Sequence, residues 1–331
     1  MAVAAAILVA LGLLAVPAFT GPQPAADNGS GSQVVILVTP GDTVASLAPQ
    51  LERKGIINSA LAFRLYARLT GRDGNLSVGE VRLRPGMSYS EVLDALERAS
   101  PRVVRIAIPE GLRLEEIADR LAQAGLVTDS KSFLALARPR TVQSPLIKGL
   151  PDGATLEGYL FPDTYDFPSD IAPEEIVRAM VANLQRRLGN LAYGSPKLTL
   201  HEILTLASIV EREAQVPQER PVIASVYLNR LKAGMPLQAD PTVQYAVGVP
   251  GQWWKKDLTT LDLKVDSPYN TYLHPGLPPG PICSPGLASI EAVLFPADTD
   301  YLYFVAKGDG THAFSNSLEE HNENVRRYRG P

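Results

Sequence analysis

The stretch KLTLHEILTLASIVEREA, residues 197–214, sets carboxylates inside an apolar pattern of helical period. Thr199 and Glu202 have the T-x-x-E spacing of a capping box, which starts the helix at about Leu200. At roughly 100° per residue, Leu200, Leu204 and Ala207 fall within about 40° of Glu211. Glu211 therefore lies on the apolar stripe. Arg212 and Glu213 turn away from it, and Glu213 is expected to be a solvated surface charge. A carboxylate on a buried face is costly if ionised and unpaired, so it tends to hold its proton. That is the property a general acid needs near neutral pH. The structural alternative for Glu211 is an ion pair with a buried arginine, for which Arg212, Arg220 and Arg230 are available.

The loops that follow supply groups to bind an uncharged polyol. GMPLQADPTVQYAVG and SPYNTYLHPGLPPGPICSPG carry Gln238, Asp240, Thr242, Tyr245, Asn270, Thr271 and Tyr272, which donate and accept hydrogen bonds. Upstream, LEGYLFPDTYDF clusters Tyr159, Phe161, Tyr165 and Phe167. These aromatics would stack on pyranose rings as a cleft wall, with Tyr159 a candidate contact, or plug the space between two domains. Other chemistries find little support. No glycine-rich phosphate loop is present. His201, His274, His312 and His321 have no metal-ligand spacing, so neither metal nor cofactor is expected. Ser208 lacks a G-x-S-x-G elbow. One cysteine, Cys283, excludes an internal disulfide framework, and a net charge of -4 argues against nucleic acid as the main partner.

These residues need a frame, and 331 residues at 45% apolar content suffice for two domains. A strand–turn–helix unit repeats at an offset of 70 residues, as from Gly41 to Gly111. The copies are VVILVTPGDTVASLAPQLERKGII from Val34 and VVRIAIPEGLRLEEIADRLAQAGLV from Val103, with Gly55 and Gly125 at the expected helix ends. VRLRPGMSYSEVLDALERA is a partial third copy. The short strand, PGDT turn and amphipathic helix resemble the LysM module, which binds N-acetyl sugars; the alternative is a duplicated packing unit. A helix is expected from about Gln218 to Ala233, and a strand hairpin from Tyr301 to Ala306 and Thr311 to Ser315. Met1 to Phe19 carry no charge and are about one bilayer long, so they read as a transmembrane helix, the alternative being a cleaved signal peptide. Gly21 to Ser32 read as a flexible linker. The first basic residue is Arg53, so the basic flank expected before an anchor would lie upstream of this start.

IVEREA, NRLKAGMPLQADPTVQYA, SPYNTYLHPGLPPGPICSPG, GYLFPDTYDF and YLYFVAKGDGTHAFSNSLEEHN together resemble the YceG family, murein transglycosylases of the MltG type, from about Val34 to Tyr328. The resemblance implies an α+β fold: a transmembrane helix over 1–20, a linker over 21–33, LysM-like βα units over 34–137, and a mostly helical catalytic domain with short strands over 138–331. It implies Glu211 as the acid; Asp240 or Glu213 could serve as a second carboxylate, ranked below it. It implies endolytic cleavage of the MurNAc-β-1,4-GlcNAc bond of nascent glycan strands, leaving a 1,6-anhydroMurNAc end and terminating elongation. A lytic transglycosylase needs one acid/base where a hydrolase needs two carboxylates. The implied setting is the inner membrane, crossed once, with the catalytic part outside the cytoplasm. Peptidoglycan strands are the implied substrate, and peptidoglycan synthases (penicillin-binding proteins) are candidate partners. A hydrolytic muramidase and a non-catalytic wall-binding protein are the alternative readings.

Overall fold

A computed structural model of the chain describes residues 33–74, 76–99, 102–150, 153–189 and 198–330. The expected anchor and linker lie outside the described residues. Among the described residues no helix is long and apolar enough to cross a membrane. The described residues form two compact units, divided between Val103 and Val104, with Pro168–Asp170 belonging to the first.

In the first unit, β1 (Val34–Val38) pairs antiparallel with β2 (Gly79–Leu83), Ile36 opposite Val81. Between them lie α1 (Val44–Arg53) and α2 (Ala60–Leu69), and α3 (Tyr89–Glu97) follows. The strand period of two sends Ile36 and Val38 inward and leaves Val35 and Leu37 exposed. Thr43 caps α1 by accepting the Ser46 N–H at 3.2 Å, and Gly55, at φ +69°, turns the chain beyond the helix end. Leu47, Leu51, Phe63, Tyr89, Leu93 and Leu96 close one core.

The second unit opens on the second copy of the repeat: β3 (Val103–Ala107), α4 (Leu114–Gln123) and α5 (Ser130–Leu136). The bounds of α4 are those of α1 moved by the 70-residue offset, and Gly125 has φ +71° where Gly55 has +69°. The compact boundary thus falls between the two full copies, not after them. β3 pairs with β4 (Thr164–Pro168). The chain continues through α6 (Pro173–Leu188), α7 (Leu200–Glu213), α8 (Arg220–Lys232), α9 (Asp240–Val247) and α10 (Leu287–Leu294). It ends in the antiparallel hairpin β5 (Tyr303–Ala306) and β6 (His312–Ser315), then α11 (Leu318–Arg329). The α+β class, the capping box of Thr199 and Glu202, and the C-terminal hairpin stand as the sequence led us to expect.

Helix α7 is the axis of this unit. Every residue from Ile203 to Val210 is buried, because α8, α9 and α10 all pack against it. The helix has no single solvent face through this stretch, so its partly exposed last turn, residues 211–213, sends side chains toward several neighbouring elements.

Candidate functional site

The three consecutive charged residues that end α7 go to three different environments. Glu211 is sequestered: its side chain is 8% exposed, and it faces Arg220, itself 15% exposed, at 3.4 Å. Glu211 Oε2 accepts the Gly286 N–H at 3.0 Å and the Ser289 hydroxyl at 2.8 Å. Gly286 is the N-cap of α10, so the carboxylate also meets the positive end of that helix. Glu110 lies against Gly286, where a Cβ would come within 2.0 Å of its carboxylate oxygen. Burial, and then the charge of Glu211, push the Glu110 carboxyl up. Of the two readings that the sequence leaves for Glu211, the geometry is that of the ion pair. Arg212 stacks on Trp254, its guanidinium 3.8 Å from the ring centroid, and donates to the Gly111 carbonyl at 3.4 Å.

Glu213 is not the surface charge that the helical wheel suggests. It lines a cavity of about 460 Å³ with Tyr227, Arg230, Gln238, Asp240 and Tyr272. The Tyr227 hydroxyl donates to Glu213 Oε1 at 2.8 Å. Burial pushes the Glu213 carboxyl up to about 7; the negative charge of Asp240 adds to the rise, while the Tyr227 hydroxyl, Arg329 and Arg212 oppose it. Tyr272 donates its hydroxyl to Asp240 Oδ1 at 2.6 Å. Two carboxylates therefore share one cavity, and the more deeply placed one keeps its proton near neutral pH.

Buried Arg230 builds the cavity wall. Its Nε donates to the Leu302 carbonyl at 2.7 Å, and its Nη1 to the carbonyls of Pro236 and Leu237 at 3.0 and 2.9 Å and to Gln238 Oε1 at 3.2 Å. The guanidinium thereby fixes the turn in which Gln238 holds φ +52°, a left-handed conformation rare outside glycine. His321 also lines the cavity, and its buried Nδ1 has no partner.

The remaining sequence candidates divide by burial. Gln238, Asp240 and Tyr272 face the cavity. Thr242, Asn270 and Thr271 are buried and committed to the backbone that carries those three. Thr271 Oγ1 accepts the Ala239 N–H at 3.0 Å and meets Thr242 Oγ1 at 2.9 Å. Asn270 donates to the Leu263 and Val265 carbonyls and accepts the Tyr272 N–H, all within 3.0 Å. Their polar groups are taken up by hydrogen bonds within the loops that carry the cavity residues. Tyr159 is buried, its hydroxyl 3.0 Å from His201 Nδ1, and it does not line the cavity. Tyr245 lies under the Arg113 guanidinium at 4.0 Å and points its hydroxyl at Glu157, 3.4 Å away. The sequence reading missed Tyr227, and named Arg230 only as a candidate ion-pair partner, not as part of the cavity wall. Their available signal is their spacing of three on α8, which puts both on one face. Among the described residues no His, Cys, Asp or Glu side chains group as metal ligands.

Glu157 is a second unusual carboxylate. It is buried at the start of α4, where both its oxygens lie 3.1 Å from the Leu114 N–H. Burial pushes its carboxyl up to about 8, opposed by that N–H. The folded protein thus holds a proton that the unfolded chain releases above 4.5, so this group's contribution to stability falls as pH rises from 4.5 to about 8. Glu157→Gln should flatten that fall and be the more stable form at pH 9, read as denaturation midpoints at pH 5 and pH 9. A wild-type midpoint that stays level across this range, with no gain in the variant, refutes the assignment.

Comparison with known proteins gives consistent relatives. The chain is 37% identical over 317 residues to an endolytic murein transglycosylase of Bacillus subtilis, covering 91% of this chain and 86% of that one. It is 34% identical to an endolytic murein transglycosylase of Streptococcus pneumoniae, spanning 96% of this chain but 63% of the longer relative. The crystal structure of a YceG-like protein from Listeria monocytogenes superposes with a TM-score of 0.56 at 34% identity, covering 88% of this chain and 98% of that one. The YceG-like family model matches residues 36–327, and the chain belongs to that family.

Proposed function

We propose that this chain is an endolytic peptidoglycan lytic transglycosylase and that Glu213, not Glu211, is its acid/base. The observation that carries the assignment is the position of Glu213: a carboxyl held near pKa 7 inside a cavity that also presents Gln238, Tyr272, Asp240 and Arg230. The names of the relatives supply the substrate class. Protonated Glu213 gives its proton to the glycosidic oxygen between N-acetylmuramic acid and N-acetylglucosamine. The bond from C1 of the muramoyl residue to that oxygen breaks. The C6 hydroxyl of the same residue closes on C1, and its proton returns to Glu213. Atoms balance without water, and the product ends in a 1,6-anhydro ring. Gln238 and Tyr272 hold sugar hydroxyls, and Arg230 keeps their turn in place.

The hydrolytic alternative has one observation in its favour, the presence of Asp240 in the same cavity, where it would activate water. Mass analysis of the products from uncrosslinked glycan separates the two, since hydrolysis makes each product heavier by one water. The same assay tests the acid. Only protonated Glu213 starts the reaction, so turnover should fall as pH rises through about 7. A rate that is level from pH 5 to 9, or hydrated products throughout, overturns the corresponding half of the proposal.

We propose, in addition, a wall-binding first unit, a membrane anchor and a location near nascent strands. The β1–α1–α2–β2 order of the first unit supports a LysM-like, wall-binding role. The uncharged run from Met1 to Phe19 supports a single membrane anchor with the catalytic unit outside the cytoplasm. Such anchoring would bring the cavity to glycan strands as they emerge, beside the synthases that make them.

A further inference from the structure

The first unit carries an apolar face that its own core leaves open. On α2, Leu61, Leu65 and Leu69 are 76%, 51% and 72% exposed, while Phe63 and Ala67 on the opposite side are fully buried. At about 100° per residue the three leucines span an arc of about 80°, and Arg64 and Arg68 fill the next 60° or so. Neither arginine forms an ion pair with a described residue. A groove of about 420 Å³ runs beside them toward the start of α1, and Asp73 is the one acidic side chain that lines it. The face is therefore both apolar and net basic.

Leucines on one side and unpaired arginines on the adjoining side are the composition of a helix that lies in the plane of a lipid interface. The leucines themselves offer no hydrogen bond, and the groove beside them is lined by arginines and no aromatic residue, which suits a charged lipid surface better than an aromatic-rich protein partner. The chain also limits how far this unit can travel. Only residues 20–33 separate the apolar run from β1, a reach of at most about 50 Å. We propose that the exposed face of α2 docks on the surface of an anionic bilayer, with Leu61, Leu65 and Leu69 at the headgroup–acyl boundary and Arg64 and Arg68 on lipid phosphates. The inference rests on the membrane-anchored reading above and adds a second, reversible contact to it. Each arginine at such a surface shifts the docking equilibrium by roughly fivefold.

The test uses the full chain reconstituted in vesicles, with an environment-sensitive fluorophore on Leu65→Cys. The sequence's other thiol, Cys283, is buried and will not compete for the label. Arg98→Cys, exposed just past the end of α3, serves as the control position. Spin-labelled lipid in phosphatidylglycerol-containing vesicles should quench the probe at 65 and not at 98. Neutral vesicles, or Arg64→Glu with Arg68→Glu, should reduce the quenching at least tenfold in the docked population, roughly as the two arginines together predict. Leu61→Glu with Leu69→Glu should abolish it while the protein stays with the vesicles. Retention in the vesicles with no more quenching at 65 than at 98 overturns docking and leaves the anchor standing. A protein that washes out under alkaline carbonate overturns the anchor, and docking with it. Shielding of position 65 that grows with protein concentration and ignores lipid charge would mean that a second copy covers the face, which also overturns the proposal.

Discussion

Glu213→Gln loses glycan cleavage by about two to four orders of magnitude, the usual worth of a positioned general acid, while its thermal midpoint stays near that of the parent. The chemistry is lost because an amide cannot give a proton to the glycosidic oxygen or take one from the C6 hydroxyl. The fold is kept because Gln reproduces the neutral form that burial already favours at Glu213. The Tyr227 hydroxyl, which donates to Glu213 Oε1 at 2.8 Å, finds the amide oxygen in its place. Above pH 7 the variant gains slightly in stability, since it never has to carry a charge in the cavity. Turnover on uncrosslinked glycan and a melting curve, measured on the same preparation, read both halves. A variant within tenfold of wild-type turnover removes Glu213 from the chemistry.

Why the sequence directs attention to the neighbouring glutamate is a matter of helix burial. A helical wheel assumes one buried stripe and one wet face, and on that assumption Glu211 is inside and Glu213 outside. The assumption fails for α7, whose residues 203–210 are all buried. Both carboxylates end up shielded, and their difference lies in partners that are remote in sequence. Arg220, Gly286 and Ser289 close around Glu211, while Tyr227 and Asp240 leave Glu213 facing a cavity. Signals that depend on neighbours within a few residues were legible. The Thr199–Glu202 cap, the two Gly-terminated helices at an offset of 70, and the hairpin around Gly308 and Gly310 all appear where their spacing put them. The polar loop residues show the same limit. Gln238 and Tyr272 reach the cavity, whereas Thr242, Asn270 and Thr271 spend their hydrogen bonds on backbone groups. Composition alone cannot separate a side chain that binds a ligand from one that holds the loop beneath it, because both tasks need the same donors and acceptors.

Glu211→Gln separates these roles from the other direction, since its expected effect is on stability. In the parent, Arg220 and Glu211 are 15% and 8% exposed and face each other at 3.4 Å. Removing one charge leaves the Arg220 guanidinium with the Ser289 hydroxyl as its remaining hydrogen-bonded side chain, and with the partly buried Glu110 as the carboxyl still near it. Breaking a buried pair in this way costs about 3 kcal/mol. For a unit of this size that lowers the thermal midpoint by roughly 6–12 °C. The loss is amplified locally, because Glu211 Oε2 also accepts the Gly286 N–H that opens α10, a helix packed on both α7 and α8. Below its melting range the variant should still cleave glycan, with turnover declining in step with the folded fraction and with an unchanged pH profile, since Glu213 is untouched. Arg220→Met in the Glu211→Gln background should recover part of the midpoint by removing the stranded charge, as apolar replacement of a buried pair often does. If Glu211→Gln instead melted like the parent and failed to cleave at any pH, the two glutamates would have to exchange roles, and the proton would have to be delivered from the ion-paired side of α7.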